Sequence, residues 1–171
     1  MAKGASSGYW PLGVTAFSGP VTAALTEAGF INGFTYSHHI VGAAAGMAVI
    51  KRMDQLGLVD RARKMGPRLE EALHRAASNH PYVGDIRGIG FLWAIELVSD
   101  RDSKTPFPES DGTAIRLTEL ARDNGLLVYP STGSAGGGSG DLVMIGPPLI
   151  AREEDIQILG ERLHRALEGL R

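Results

Sequence analysis

The apolar positions keep one period through the first half of the chain and another through the second. Over residues 38–79 they follow a helix. Ile40, Ala44, Met47, Val49, Ile50 and Met53 form one loose face; Gly57 breaks it; Leu58, Ala62, Met65, Leu69, Ala72, Leu73 and Ala76 form the next. Pro67 is expected to kink the second run or to begin a new helix. Ser37 is a candidate N-cap for a helix starting at His38. Ahead of this lie a Gly-, Ser- and Pro-rich loop, a short apolar strand at 14–17, a helix opened by Pro20 and stopped by Gly29, and a polar, aromatic loop at 33–37.

After residue 82 the period shortens. Runs 83–87 and 91–98 read as paired strands around a Gly88-Ile89-Gly90 turn. A polar loop at 100–110 leads to a helix at 113–124, with Ser110 or Asp111 as cap and Gly125 as stop. A strand at 126–129, a Gly/Ser loop at 131–140 and a strand at 142–145 follow, ended by Pro147-Pro148. The last helix, 152–170, carries the stripe Ile156, Leu159, Leu163, Leu167 and Leu170. Strand-strand-helix-strand-strand-helix is a complete α+β lobe, residues 81–171. Residues 1–80, mostly helix with a single strand, make no sheet of their own and read as a remnant of something larger.

Composition narrows the function. The 171 residues hold 43% hydrophobic and 21% charged side chains, with a formal net charge of −2, so no basic field argues for nucleic acid. There are no cysteines, which excludes disulfides, zinc-cysteine sites and a cysteine nucleophile. The longest apolar run, 40–50, is too short to cross a bilayer, and the N-terminus lacks the apolar core of a signal peptide. A cytoplasmic location without membrane partners is the expectation.

Two places carry chemistry. Lys3 precedes Gly4-Ala5-Ser6-Ser7-Gly8-Tyr9, a loop of small residues. A lysine amine can form a Schiff base with an aldehyde, and small neighbours let a planar ring approach the backbone. Composition alone makes Lys3 an ordinary solvated lysine. Phe34-Thr35-Tyr36-Ser37 at a helix start offers hydroxyls and N–H groups to a phosphate. Unaided, it is a capping loop. The neighbouring His38 and His39 point apart on a helix and have no carboxylate at ligand spacing, so no metal site is expected. Arg87-Gly88-Ile89-Gly90 leads from strand to strand and is a hairpin, not a dinucleotide fingerprint. The 131–140 loop has no Lys or Arg and reads as linker.

Taken in order, these strings resemble a known family. Ala2-Lys3-Gly4-Ala5-Ser6-Ser7-Gly8-Tyr9-Trp10-Pro11-Leu12-Gly13 resembles the cofactor-lysine segment of the class III (ω-type) aminotransferases, which use pyridoxal 5'-phosphate (PLP). Gly33-Phe34-Thr35-Tyr36-Ser37 with His39 resembles their next segment, and Val83 to Gly90, Ala94-Ile95-Glu96-Leu97, Gly125-Leu126-Leu127-Val128 and Pro147-Pro148-Leu149 continue the likeness. The resemblance implies the α/β fold of type I PLP-dependent transferases. Residues 1–80 would be the end of the large domain and residues 81–171 the small domain. It also implies amine transfer from an amine donor to a 2-oxo acid, in a homo-oligomer. Lys3 would hold the cofactor and carry the proton, Thr35 would bond the phosphate of the neighbouring subunit, and Ser37 would support that loop. Mutases, epimerases and decarboxylases share the lysine segment. A non-catalytic α+β interaction module is the rival from another class.

The sequence departs from the family in three ways. His38-His39-Ile40 stands where members have Gly-His-Pro. Met144 stands where many members have an arginine for an α-carboxylate, and a thioether makes no bidentate pair with one. Members are also well over twice as long. Their remaining portion would supply a glycine-rich phosphate loop, an aromatic stacked on the ring and an aspartate for the pyridine nitrogen. A truncated reading frame or a partner chain carrying that portion is expected, and the 171-residue chain alone is expected to be inactive.

Overall fold

The computed structural model describes residues 1–135 and 138–170. Two compact units divide the chain, Met1–Gly57 and Leu58–Arg171.

The first unit holds a 3-10 turn at Lys3–Ser6 and two helices, α1 (Gly19–Glu27) and α2 (Ile40–Gln55). Pro20 opens α1, and Gly29, at φ +63°, follows its end, as the sequence suggests. The strand expected at 14–17 does not form. Strand hydrogen bonds need a neighbour, and this run pairs at one point only, where Val14 and Met1 exchange backbone bonds of 2.7 and 2.6 Å. Helix α2 begins two residues later than expected, and its cap is not Ser37. His39 is the N-cap, its Nδ1 accepting from Gly42 N–H at 3.4 Å. The Ser37 hydroxyl accepts from Phe34 N–H at 2.9 Å instead. Burial in this unit is confined to Ser6, Gly42 and Gly46. Phe17, Ile40 and Met47 are exposed.

The second unit is a sheet with helices against it. It runs α3 (Leu58–Ala77), β1 (Val83–Ile89), β2 (Leu92–Asp100), β3 (Thr105–Pro106), α4 (Thr113–Asp123), β4 (Tyr129–Ser131), β5 (Asp141–Ile145) and α5 (Glu153–Glu168). The antiparallel order is β1-β2-β5-β4, with β3 on the end of β2. Trp93 faces Ile145 and Ile95 faces Val143, so the inward residues of β2 and β5 share one side. There they join Leu69 and Leu73 of α3, Leu117 of α4 and Leu163 and Leu167 of α5 in one core. Helix α3 continues through Pro67 as a single element. At that point Gly66 lies against the backbone of Gly90, so close that a Cβ would come within 2.9 Å of the Gly90 Cα.

Several expected details move. The β1–β2 turn is Gly90-Phe91, with Gly90 at φ +56°, and Gly88 belongs to β1 opposite Trp93. The loop at 100–110 contains β3 and a 3-10 turn at Glu109–Asp111. Neither Ser110 nor Asp111 caps α4; its N-cap is Gly112, and the buried Asp141 on β5 accepts from Ala114 N–H at 3.1 Å. The strand expected at 126–129 begins only at Tyr129, where pairing with Met144 starts. Residues 136 and 137 of the Gly/Ser loop lie outside the described residues. The loop's described ends are closed by bonds from Ser134 N–H to Gly140 O and from Ala135 N–H to Ser139 O.

His80 sits in the turn between α3 and β1, where its Nδ1 accepts from Tyr82 N–H at 3.3 Å. Burial pushes its imidazole below the ordinary value, with the Leu167 carbonyl opposing and Arg101 and His164 adding to the drop. A base with a depressed folded pKa leaves the unfolded chain binding more protons as pH falls. His80 therefore contributes stability that is present above about pH 6.5, the unfolded value, and is lost as pH falls toward the folded one. Urea midpoints should decline over that window, and His80→Gln should flatten the decline. An unchanged slope would remove His80 as the cause.

Candidate active site

Lys3 opens the 3-10 turn with its own backbone at φ +51°, a region non-glycine residues seldom occupy. Ser7 at φ +51° and Gly8 at φ +78° follow, so the chain doubles back at once. Ala5 N–H to Ala2 O, Ser7 N–H to Gly4 O and Tyr9 N–H to Ser6 O hold the turn locally. The firmer tie is Ser6. It is 1% exposed, and its hydroxyl donates to the Trp10 carbonyl. The Lys3 side chain stands in solvent.

Trp10 and Leu12 pack on α2. A Cβ at Gly42 would come within 2.9 Å of Trp10 Cδ1, and one at Gly46 within 2.7 Å of Leu12 Cδ2. These glycines, one helical turn apart, are the buried residues of α2. The Trp10 indole stacks on the His39 imidazole at 5.0 Å between centroids and 23° between planes. Tyr36 meets the same imidazole at 5.9 Å and 50°. Thr35, next to Tyr36, is exposed in a turn closed by Ser37, whose N–H donates to Phe34 O at 2.8 Å. His38, after it, takes φ +59°.

The unit thus ties the Lys3 turn and the Thr35 loop to the same end of α2. From the sequence, Trp10 and His39 figure in the family resemblance, and His39 also as a rejected metal ligand, but neither is given a structural role. The signal it passed over was the Gly42/Gly46 spacing, which marks where a bulky neighbour can lie on a helix. Among the described residues, no group of three His, Asp or Glu side chains could hold a metal. No helix there is long and apolar enough to cross a membrane.

In the second unit, Met144 lies on β5 between Ala94 of β2 and Tyr129 of β4. The next residue along that row is Arg87 of β1, opposite Ala94. Its guanidinium is taken up by Asp85 at 2.9 Å and by Glu96. That hydrogen bond holds the Asp85 carboxyl below the usual carboxylate range.

The model of class III aminotransferases matches residues 1–167. The chain belongs to the class III aminotransferases. It is 36% identical over 171 residues to an aminotransferase of Gibberella zeae, covering 98% of this chain and 33% of that protein. A transaminase from the marine bacterium Virgibacillus superposes with a TM-score of 0.90 at 29% identity, over 99% of this chain and 38% of that one. An amine transaminase from an uncultivated Pseudomonas species, solved in its PLP-bound form, gives 0.87 at 29% identity, over 99% and 38%. This aminotransferase chain spans about a third of the length of the curated relatives it matches.

The residues present can be tested against PLP. The cofactor needs an amine, donors for its phosphate and a partner for its ring nitrogen. Lys3 supplies an exposed amine among small residues, and Thr35 an exposed hydroxyl. The carboxylates of Met1–Gly57 are Glu27 and Asp54, each at the C-terminal end of a helix and in neither loop. The unit thus carries an amine and a hydroxyl of the kinds the group uses, while neither loop brings a partner for the ring nitrogen.

Proposed function

We propose that this aminotransferase chain carries the lysine part of a PLP-dependent transamination between an amine or amino acid and a 2-oxo acid, as part of a longer enzyme. The observation that carries the reading is the turn at Lys3, an exposed amine on a sparsely populated backbone conformation held by the buried Ser6. PLP, when bound, supplies the electron sink that makes the substrate carbon acidic. Lys3 Nζ would hold the cofactor and move the proton at that carbon. The Thr35 hydroxyl would donate to the phosphate of a neighbouring subunit, with Ser37 keeping its loop closed. The uncovered Phe17, Ile40 and Met47 suit a chain that associates. The Met144 row offers a carboxylate no free cation. By resemblance Met144 stands where many class III members carry the carboxylate-binding arginine, which favours a substrate amine without an α-carboxylate or an acid group held by another residue.

Borohydride reduction followed by mass spectrometry tests this. In the full-length enzyme one PLP adduct per chain is expected, confined to Lys3 and absent in Lys3→Ala. In the 171-residue chain alone, saturable binding and transaminase activity are both expected to be missing, because a single hydroxyl loop and one lysine are too few preorganised groups. Labelling spread equally over Lys3, Lys51, Lys64 and Lys104 in the full-length enzyme would end the proposal.

A further inference from the structure

We propose that Trp10 is a positioning residue of this site, setting the Lys3 turn against the Thr35 loop; the inference rests on the functional reading above. A lysine side chain is long and mobile, so where its amine works depends on how firmly its backbone is aimed. A 3-10 turn of four residues has few bonds of its own, and here it starts on left-handed Lys3 and ends on a left-handed C-cap, Ser7. Its buried anchor, Ser6, is bonded to the carbonyl of Trp10. Whatever holds Trp10 therefore holds the turn.

Trp10 is held from two sides. Below it is Gly42, where any side chain would overlap the indole. Beside it is His39, whose ring is itself fixed by the Gly42 N–H on Nδ1. The same imidazole touches Tyr36, the neighbour of Thr35. A continuous series of contacts thus runs from Lys3 through Ser6, Trp10, His39 and Tyr36 to Thr35. Contiguity alone is not coupling, so the proposal requires that disturbing Trp10 be felt at residues 33–38, more than twenty positions away in the chain.

The experiment compares Trp10→Phe, Trp10→Ala and Gly42→Val with the wild type in the full-length enzyme. Amide exchange at 2–9 and 33–38 reads the coupling. The rate of the borohydride-fixed adduct at Lys3 reads its consequence. Trp10→Ala and Gly42→Val should speed exchange in both segments and slow adduct formation about 100-fold, the scale of a misplacement near 1 Å. Trp10→Phe, which keeps a ring on Gly42 and His39, should restore both. Faster exchange at 2–9 with 33–38 unchanged in Trp10→Ala overturns the proposal, as does an unaltered adduct rate in that variant. A wild type that never labels Lys3 overturns the functional reading instead, and the exchange data then still decide whether Trp10 couples the two loops.

Discussion

Leu163→Ala is expected to destabilise the second unit by about 2–5 kcal/mol, the range for truncating a buried leucine. Leu163 is 0% exposed, on the face of α5 that meets α3 and α4. Removing its branched end forfeits the transfer energy of those carbons and leaves a void that close-packed neighbours fill only in part. Urea unfolding should show a lower midpoint at an unchanged slope, since the surface exposed on unfolding barely changes. Leu127→Ala is the comparison, because Leu127 is 84% exposed. Its effect should stay within about 0.5 kcal/mol. Equal losses from the two substitutions would mean that the core is placed wrongly.

Gly88→Val should cost about 1–3 kcal/mol or more through overpacking and should disturb the β1–β2 pairing itself. A Cβ at Gly88 would lie 2.4 Å from Leu92 O, 2.5 Å from Trp93 Cδ2 and 2.7 Å from Trp93 Cα. Two of those atoms are backbone, and the indole is pinned by its own bond from Nε1 to Gly90 O at 2.9 Å. Nothing in that set can step aside cheaply. The near-ultraviolet circular dichroism of Trp93 should therefore change along with the stability. Gly13→Ala supplies the contrast, with open space around the added carbon and no left-handed backbone. A Gly88→Val protein with wild-type spectrum and midpoint would show that the hairpin does not lie as described.

Legibility in the sequence follows how local the cause is. Pro20, Gly29, Gly57 and Gly125 act within a few residues of themselves, and the helices stop and start near them. The stripe Ile156, Leu159, Leu163 and Leu167 could be read because burial of one helix face leaves a period of 3.6. The α4 cap could not. Ser110 and Asp111 stand in the right place by local rules, yet the bond to Ala114 N–H comes from Asp141, 27 residues beyond Ala114, because β5 lies under the start of α4. The strand at 14–17 failed for the converse reason: its composition suits a strand, but its pairing with Met1 stops at one position.

The same division holds at the site. Sequence alone marked Lys3 and Thr35, because their segments resemble the family's, and it determined the order of the helices, the mixed α and β character of the second half and the family itself. It also showed that Met144 offers no cation. Only the folded chain decided that Lys3 is left-handed, that Ser6 is buried beneath it, and that His39 both caps α2 and stacks on Trp10. Helix periods and turn residues are properties of neighbours along the chain. An aromatic stack between residues 10 and 39 depends on two segments meeting over Gly42, and that meeting is set by the absence of a side chain there, which a sequence records only as one more glycine.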